Sequence, residues 1–358
     1  MGSDLFPGIY TILVGPPGIG KGVAIHPGEA LLREVPDLHV GPSDLSAASL
    51  IDALNESIRR IVLLGDPPYV EFNSITIISR ELGVLLPAWD SALMNSLTDI
   101  YDGFVVDQKR RGKDLRIKIN CPQINLLGAC TPAYLNEILP QGAWDQGFIS
   151  RTILVFSGER VVKDPFAENE QSEFNKRLHN DLLHDLKTIS LEFGKMSFTT
   201  PAAAAIKAWI KAGCPPEPSH QKLQFYNARR VAHLLKLCMI SSMSRSGEKI
   251  IALEHYNEAL NWLVEAETYM PDIFKSMQTG GDSSAMEEAW NYVWTLFAKE
   301  KHPIAEHRIV HFLRERVPAH SVMRVLDVMV KARMFKIVLT DQGFSGYAPT
   351  SKEDRLGR

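Results

Sequence analysis

The octapeptide GPPGIGKG at residues 15–22 constrains this chain more than any other stretch. It follows an apolar β-type run, Tyr-Thr-Ile-Leu-Val at 10–14, and a helical pattern begins at about Lys21. A strand, a glycine-rich turn and a helix in that order make a phosphate-binding loop, read as G-x-x-x-x-G-K-[ST]. Gly15, Pro16, Pro17, Gly18, Ile19, Gly20, Lys21 and Gly22 are its expected residues. Their backbone N–H groups and the helix dipole would face phosphate oxygens while Lys21 reaches the terminal phosphates. The alternative is a Gly/Pro turn with a chance lysine. One position departs from the pattern: Gly22 stands where a hydroxyl normally meets magnesium. Pro27-Gly28 further predicts a kink or an early stop in the following helix.

Composition narrows the class. With 358 residues the chain is long enough for two or three domains. A net charge of −3 argues against coating nucleic acid with the whole surface and leaves room for a local basic tract. The four cysteines (Cys121, Cys130, Cys214, Cys238) are widely spaced and read as reduced thiols of a cytoplasmic protein. No apolar stretch reaches eighteen residues and no signal peptide is visible, so membrane and secretory classes fall away. Met1-Gly-Ser-Asp4 runs almost directly into the first strand and is expected to be the trimmed edge of a longer protein.

Periodicity divides the rest. Up to about residue 160, short β-rich runs at 10–14, 75–78, 124–127 and 152–156 alternate with helical stretches, which predicts a parallel α/β sheet with crossover helices. Residues 161–277 are almost wholly helical, with helices opening at Pro201 and covering 227–243, and read as a helical lid. A Gly/Ser-rich linker occupies 278–285. In the last region, 286–358, helices at 286–299, 305–315 and 318–332 precede a β-like hairpin, a pattern similar to a winged-helix module. Its third helix would offer Arg324, Lys331 and Arg333 to nucleic acid, yet Val322, Val325, Leu326, Val328 and Met329 mark much of it as core.

Chemistry should gather where strands end. The run Ile75-Thr-Ile-Ile-Ser-Arg-Glu81 finishes in a carboxylate, so Glu81 is the candidate for positioning an attacking water. Its preceding residue, where an aspartate would normally sit near the metal, is Arg80. Glu81 also reads as an ordinary strand-end acid. Thr131 closes another buried run and either hydrogen-bonds water near the terminal phosphate or caps the helix opened by Pro132. Arg151 stands immediately before a β-run, placed to meet a neighbouring subunit's nucleotide as an arginine finger, or simply exposed. Lys109, Arg110, Arg111, Lys113, Arg116 and Lys118 put six positive charges within ten residues on a candidate hairpin. Backbone phosphates are the natural ligand of such a tip, and a solvated edge that resists aggregation is the bland reading.

In order and spacing, 15–21, 75–81, 126–132 and 147–156 resemble the P-loop, acidic strand, polar sensor and arginine finger of AAA+ ATPases. Two details look like the minichromosome maintenance helicases and related phage and plasmid replication helicases: the basic hairpin at 103–119, and 227–238, similar to their lid helix. Residues 41–158 also resemble prophage-type P-loop proteins, sharing phrases such as Glu81-Leu-Gly and Asp99-Ile-Tyr-Asp-Gly103. The resemblance implies an α/β AAA+ fold, ATP and magnesium as cofactors, and a homo-oligomer, expected as a hexamer. It implies that Arg229 reaches phosphate across a subunit junction, and that Lys109, Arg110, Arg111 and Lys113 grip single-stranded or forked DNA in a pore. Primase or other replication proteins are implied partners. The expected function is an ATP-driven DNA helicase or translocase; a nucleotide-gated scaffold or helicase loader is the alternative. Asp44, Asp66 and Asp90 are candidate metal ligands in place of the missing oxygens.

Overall fold

The computed structural model describes residues 4–87, 91–109, 116–139, 147–159, 172–218, 220–278, 282–339 and 345–350. The chain separates into two compact units: residues 1–155 with 161–269, and residues 156–160 with 270–358.

The first unit is α/β. Its strands are β1 (Tyr10–Val14), β2 (His39–Val40), β3 (Ile58–Val62), β4 (Tyr69–Ser79), β5 (Val106–Lys109), β6 (Arg116–Ile119), β7 (Gln123–Cys130) and β8 (Thr152–Phe156). Six of them form one sheet in the order β2-β4-β7-β1-β8, with β3 paired to β4. The β1–β7, β4–β7 and β2–β4 pairs are parallel, and β3–β4 is antiparallel. Chain order and sheet order differ because a parallel pair needs a crossover; β1, β2, β4, β7 and β8 are each followed by a helix, while β3 turns directly into β4. The helices up to β8 are α1 (Lys21–Glu34), α2 (Ala47–Glu56), α3 (Leu82–Leu85), α4 (Ser91–Ile100), α5 (Pro132–Ile138) and α6 (Gly147–Ser150).

Alternation along β1 buries Tyr10, Ile12 and Val14 and half-buries Thr11 and Leu13. Ile25 of α1 packs with Ile78 and Ala129, and Leu13, Leu32, Val40 and Leu127 join that cluster. From the opposite direction the Tyr10 hydroxyl donates to the Leu97 carbonyl of α4 at 2.9 Å. Each such fully buried apolar side chain contributes about 1.5–3 kcal/mol, so β1 is anchored from both sides.

Two expectations change here. Helix α1 does not stop at Pro27; it continues to Glu34 with the proline inside it. The carbonyl that loses its partner belongs to the exposed Val23, where solvent can replace the bond. The acidic strand is also longer than its apolar run suggested. Its first half, Tyr69–Asn73, pairs with β3 as a hairpin whose outer face is exposed, so no long apolar run announces it. β5 and β6 form their own antiparallel pair, with Val106, Ile117 and Ile119 on its buried side and Arg116 ion-paired to Asp107 on the other.

The helical stretch continues the same unit with α7 (Ser172–Ser190), α8 (Thr200–Lys211), α9 (Gln224–Asn227), α10 (Arg230–Arg245) and α11 (Leu253–Gln278), plus a two-stranded pair, β9 (Ser197–Phe198) and β10 (Ile250–Ile251). Thr199 caps α8 by accepting from Ala202 N, and Pro201 sits in the first turn, where its missing N–H costs nothing. Helix α11 runs through the boundary between the units and carries Pro271 there.

The second unit holds α12 (Asp282–Glu300), α13 (Glu306–Arg314) and α14 (Val322–Lys331) with a sheet β11-β13-β12. Its strands are β11 (Ile304–Ala305), β12 (Phe335–Leu339) and β13 (Ser345–Pro349), paired antiparallel. Trp290, Val293, Ile309, Leu313, Val325, Leu326, Met329 and Phe335 build its core. Val328, expected in that core, is exposed because α14 turns its 322, 325, 326 and 329 positions inward. Lys331 is ion-paired to Asp327. No helix among the described residues is long and apolar enough to cross a membrane.

Candidate functional site

Three parallel strands deliver the candidate residues to one edge. Val14 lies level with Cys130, and Ser79 level with Gly128, so the residues following β1, β7 and β4 emerge side by side. Ligands of open α/β sheets bind beyond the carboxyl ends of the strands. The loop at 15–22 starts with Gly15 N donating to Cys130 O at 3.2 Å. Gly18 (φ 75°) and Gly20 (φ 97°) take left-handed conformations that side-chain-bearing residues resist, and Gly20 caps α1. Ala24 N closes the first turn on Gly20 O at 3.0 Å. The Lys21 Nζ folds back over the loop and donates to Gly15 O (2.8 Å) and Pro16 O (2.9 Å). An anion at the helix end would compete for this ammonium.

Glu81 is exposed and begins α3 without capping it through its side chain. It is near enough to act on Lys21: burial pulls the lysine below its ordinary range, while Cys130 and Glu81 pull the other way. Cys130, which sequence reasoning passed over, is pushed up to about 12 by burial, against the pull of Lys21. It is therefore a neutral thiol behind the lysine. Thr131 has the capping geometry that was one of its two readings: its hydroxyl accepts from Tyr134 N at 3.2 Å and opens α5.

Magnesium is tested by the donor set. It takes about six oxygens in near-octahedral geometry, most of them from water and substrate phosphate and only one or two from the protein. Gly22 has none, and Arg80 donates to Glu29 Oε2 from Nε (3.1 Å) and Nη2 (2.8 Å). The Ser79 hydroxyl is already donated to Glu81 O at 2.8 Å. Asp66 lies in the turn of the β3–β4 hairpin, at the far end of an 11-residue strand from Arg80. Asp44 follows β2 at the sheet margin, and Asp90 lies outside the described residues. Among the described residues no group of three His, Cys, Asp or Glu side chains could hold a metal ion. At positions 22 and 80, where the pattern places direct metal ligands, the chain offers a divalent cation no side-chain oxygen.

Arg151 and Arg229 meet elsewhere. Asp102, just past α4, accepts from Arg151 Nη2 at 2.8 Å and from Arg229 Nη1 at 2.9 Å. Burial works to raise Asp102, but hydrogen bonds from Arg229 and Arg151 hold it below the usual range. The cluster lies by the first residue of β1. The Tyr10 ring meets Tyr101 edge-on (centroids 4.8 Å apart) and Phe148 at a tilt (6.0 Å), and Arg151 and Asp102 both act on its hydroxyl. The P-loop leaves the other end of that strand, roughly 16 Å away at ~3.3 Å per residue. Asp102 was legible only as part of the quoted phrase at 99–103; its partners are 49 and 127 positions distant.

Helix α10 fastens the helical region to this end. The Lys236 ammonium donates to Gly8 O at 2.5 Å and stands 3.6 Å from the Tyr101 ring centroid; burial pulls it down to about 8. His233, fully buried, lies 3.0 Å from Ser150 O through Nε2 and leaves Nδ1 without a partner. Burial lowers its pKa from 6.5 to about 4, with Ser150 opposing and Lys236 reinforcing the shift. The unfolded chain therefore takes up this proton first. Stability held by a neutral His233 is present above pH 6.5 and is lost as pH falls toward 4, by about 3 kcal/mol. Urea unfolding should show a decline over that window that is shallower in His233→Gln; equal slopes would refute the assignment.

Of the basic hairpin, Lys109 closes β5, while Arg110, Arg111 and Lys113 lie outside the described residues. The sequence matches no protein-family model, and comparison with curated proteins finds no similar sequence.

Proposed function

We propose that this chain is a ring-forming ATPase of the AAA+ type that moves single-stranded or forked DNA, hydrolysing ATP between subunits. The observation that carries this reading is the pairing of Arg151 and Arg229 on Asp102, at the end of β1 away from Lys21. Neither guanidinium can serve its own P-loop from there. Arg229 is 31% exposed and Arg151, at 14%, is held mostly buried beside it by Asp102 and Gly147 O, so the pair reaches the surface chiefly through Arg229. A ring of identical subunits puts one subunit's Lys21 and Glu81 against the next one's two arginines.

In that junction the main-chain N–H groups of 15–22 and Lys21 hold the polyphosphate. Glu81 orients a water and takes its proton as the water oxygen attacks the terminal phosphorus, and ADP leaves. Arg151 and Arg229 stabilise the charge that develops. The β5–β6 pair supports a DNA-facing role, because exposed Arg116 and Lys118 alternate with buried Ile117 and Ile119 along β6. Three helices followed by an antiparallel hairpin in the second unit support a winged-helix module. Partners such as a primase are consistent with this role. The second reading, a nucleotide-gated scaffold or loader, is favoured by one observation: the Thr131 hydroxyl is engaged in capping α5 rather than held toward the loop.

ATP turnover by the full chain, with and without single-stranded DNA, separates the two. The motor reading expects DNA-stimulated hydrolysis that Glu81→Gln lowers by about 10²–10⁴-fold. Tight ATP binding without turnover, indifferent to the substitution, selects the scaffold.

A further inference from the structure

The misfit between magnesium and the P-loop edge has a positive counterpart. We propose that the nucleotide is taken up here without a divalent cation, the Arg80 guanidinium standing at the polyphosphate in place of the metal. This rests on the reading of 15–22 as a nucleotide loop.

Gly22, His26, Glu29 and Arg33 recur at i, i+4, i+7 and i+11 and share one face of α1. The face that normally begins with a metal-binding hydroxyl is thus the face on which Arg80 lies. Its Nη2 sits 3.1 Å from His26 Nδ1 and 2.8 Å from Glu29 Oε2. Gly22 is one turn from His26, roughly 6 Å along the axis at ~1.5 Å per residue. A Cβ built on Gly22 would meet nothing within 4 Å, so the space directly beside Gly22 is open.

The resting pair is easily exchanged. Arg80 is 51% exposed although Glu29 is 14% exposed, so solvent screens the guanidinium end of the pair. Glu29 keeps a partner when Arg80 leaves, because Arg33 donates to its other oxygen from Nε (3.1 Å) and Nη2 (2.9 Å). A planar guanidinium then offers phosphate two parallel donors and a permanent charge. A divalent cation in the same space would meet that charge as repulsion and find no oxygen on Gly22 or Arg80. The electrostatic task is unchanged: positive charge against the phosphate oxygens, supplied by the chain itself.

Binding of a fluorescent ATP analogue to the full chain, in excess chelator and in excess magnesium, tests this. The native chain should bind equally in both, within about twofold, a difference well under the ~1.4 kcal/mol that a factor of ten represents. Arg80→Ala should weaken binding in chelator about tenfold or more, the worth of a charge-assisted bond, and Arg80→Lys should retain part of it. The pair Gly22→Ser with Arg80→Asp restores both metal-side oxygens and should bind only with magnesium. Thermal unfolding of each variant checks that the fold survives. Native binding that requires magnesium overturns the proposal and leaves the nucleotide loop intact. Failure of the native chain to bind in either condition removes the loop reading and this proposal with it.

Discussion

Arg151→Ala is expected to keep nucleotide binding and lose about 10³-fold or more in ATP turnover, the usual worth of an arginine finger. Lys21→Ala should be inactive for the opposite reason, because its own loop no longer holds phosphate. The informative sample is the mixture. A Lys21→Ala subunit still carries Arg151, and an Arg151→Ala subunit still carries Lys21. Where the first meets the second in the right order, one junction has both groups and turnover returns. Recovery requires that Arg151 act across the junction, in keeping with its position by Tyr10, at the other end of β1 from residues 15–22. A mixture as inactive as its components would defeat the trans assignment and the ring with it. Asp102→Asn adds a milder test: it leaves both guanidinia without their shared carboxylate, so it should loosen Arg229 and Arg151 together.

Glu267→Gln is expected to cost about 3–5 kcal/mol of stability, read as a fall in the midpoint of chemical unfolding. Arg230 is fully buried beside Arg229, and its Nε and Nη2 donate to the two Glu267 oxygens at 2.8 and 2.7 Å. The same guanidinium donates to the Cys214 carbonyl and, at 2.7 Å, to Pro216 O, while Tyr226 donates its hydroxyl to Glu267 at 3.0 Å. Removing the carboxylate charge leaves a buried cation with only neutral acceptors. Replacing both members, as in Arg230→Met with Glu267→Leu, should recover much of the loss, because desolvation of the pair nearly offsets its attraction. If the single and double changes cost the same, the network is not the source of stability. Since Arg230 opens α10, loss of the pair should also release Arg229 from its place at Asp102.

Local signals carried the strand-loop-helix at 10–34 because each required residue is near its partners in sequence. The two left-handed glycines, the apolar strand and Lys21 all act within twelve residues. The same locality explains the Thr131-Pro132 cap and the β12–β13 hairpin. It also explains two errors. Proline's dislike of helices is a local rule that the uninterrupted α1 outweighs, and the β3–β4 extension has too little apolar contrast to show as a strand.

What the sequence by itself determined is therefore the strand-loop-helix at 10–34, the alternation of strands and helices, and the absence of a side-chain oxygen at positions 22 and 80. What only the tertiary structure decided is company. It set β7 between β1 and β4, laid Arg80 against Glu29, joined Arg151 and Arg229 on Asp102, and brought Lys236 to Gly8. Charges find partners through space, where strand order and helix packing set the distances, and no periodicity in the chain records a pairing 127 or 228 residues long.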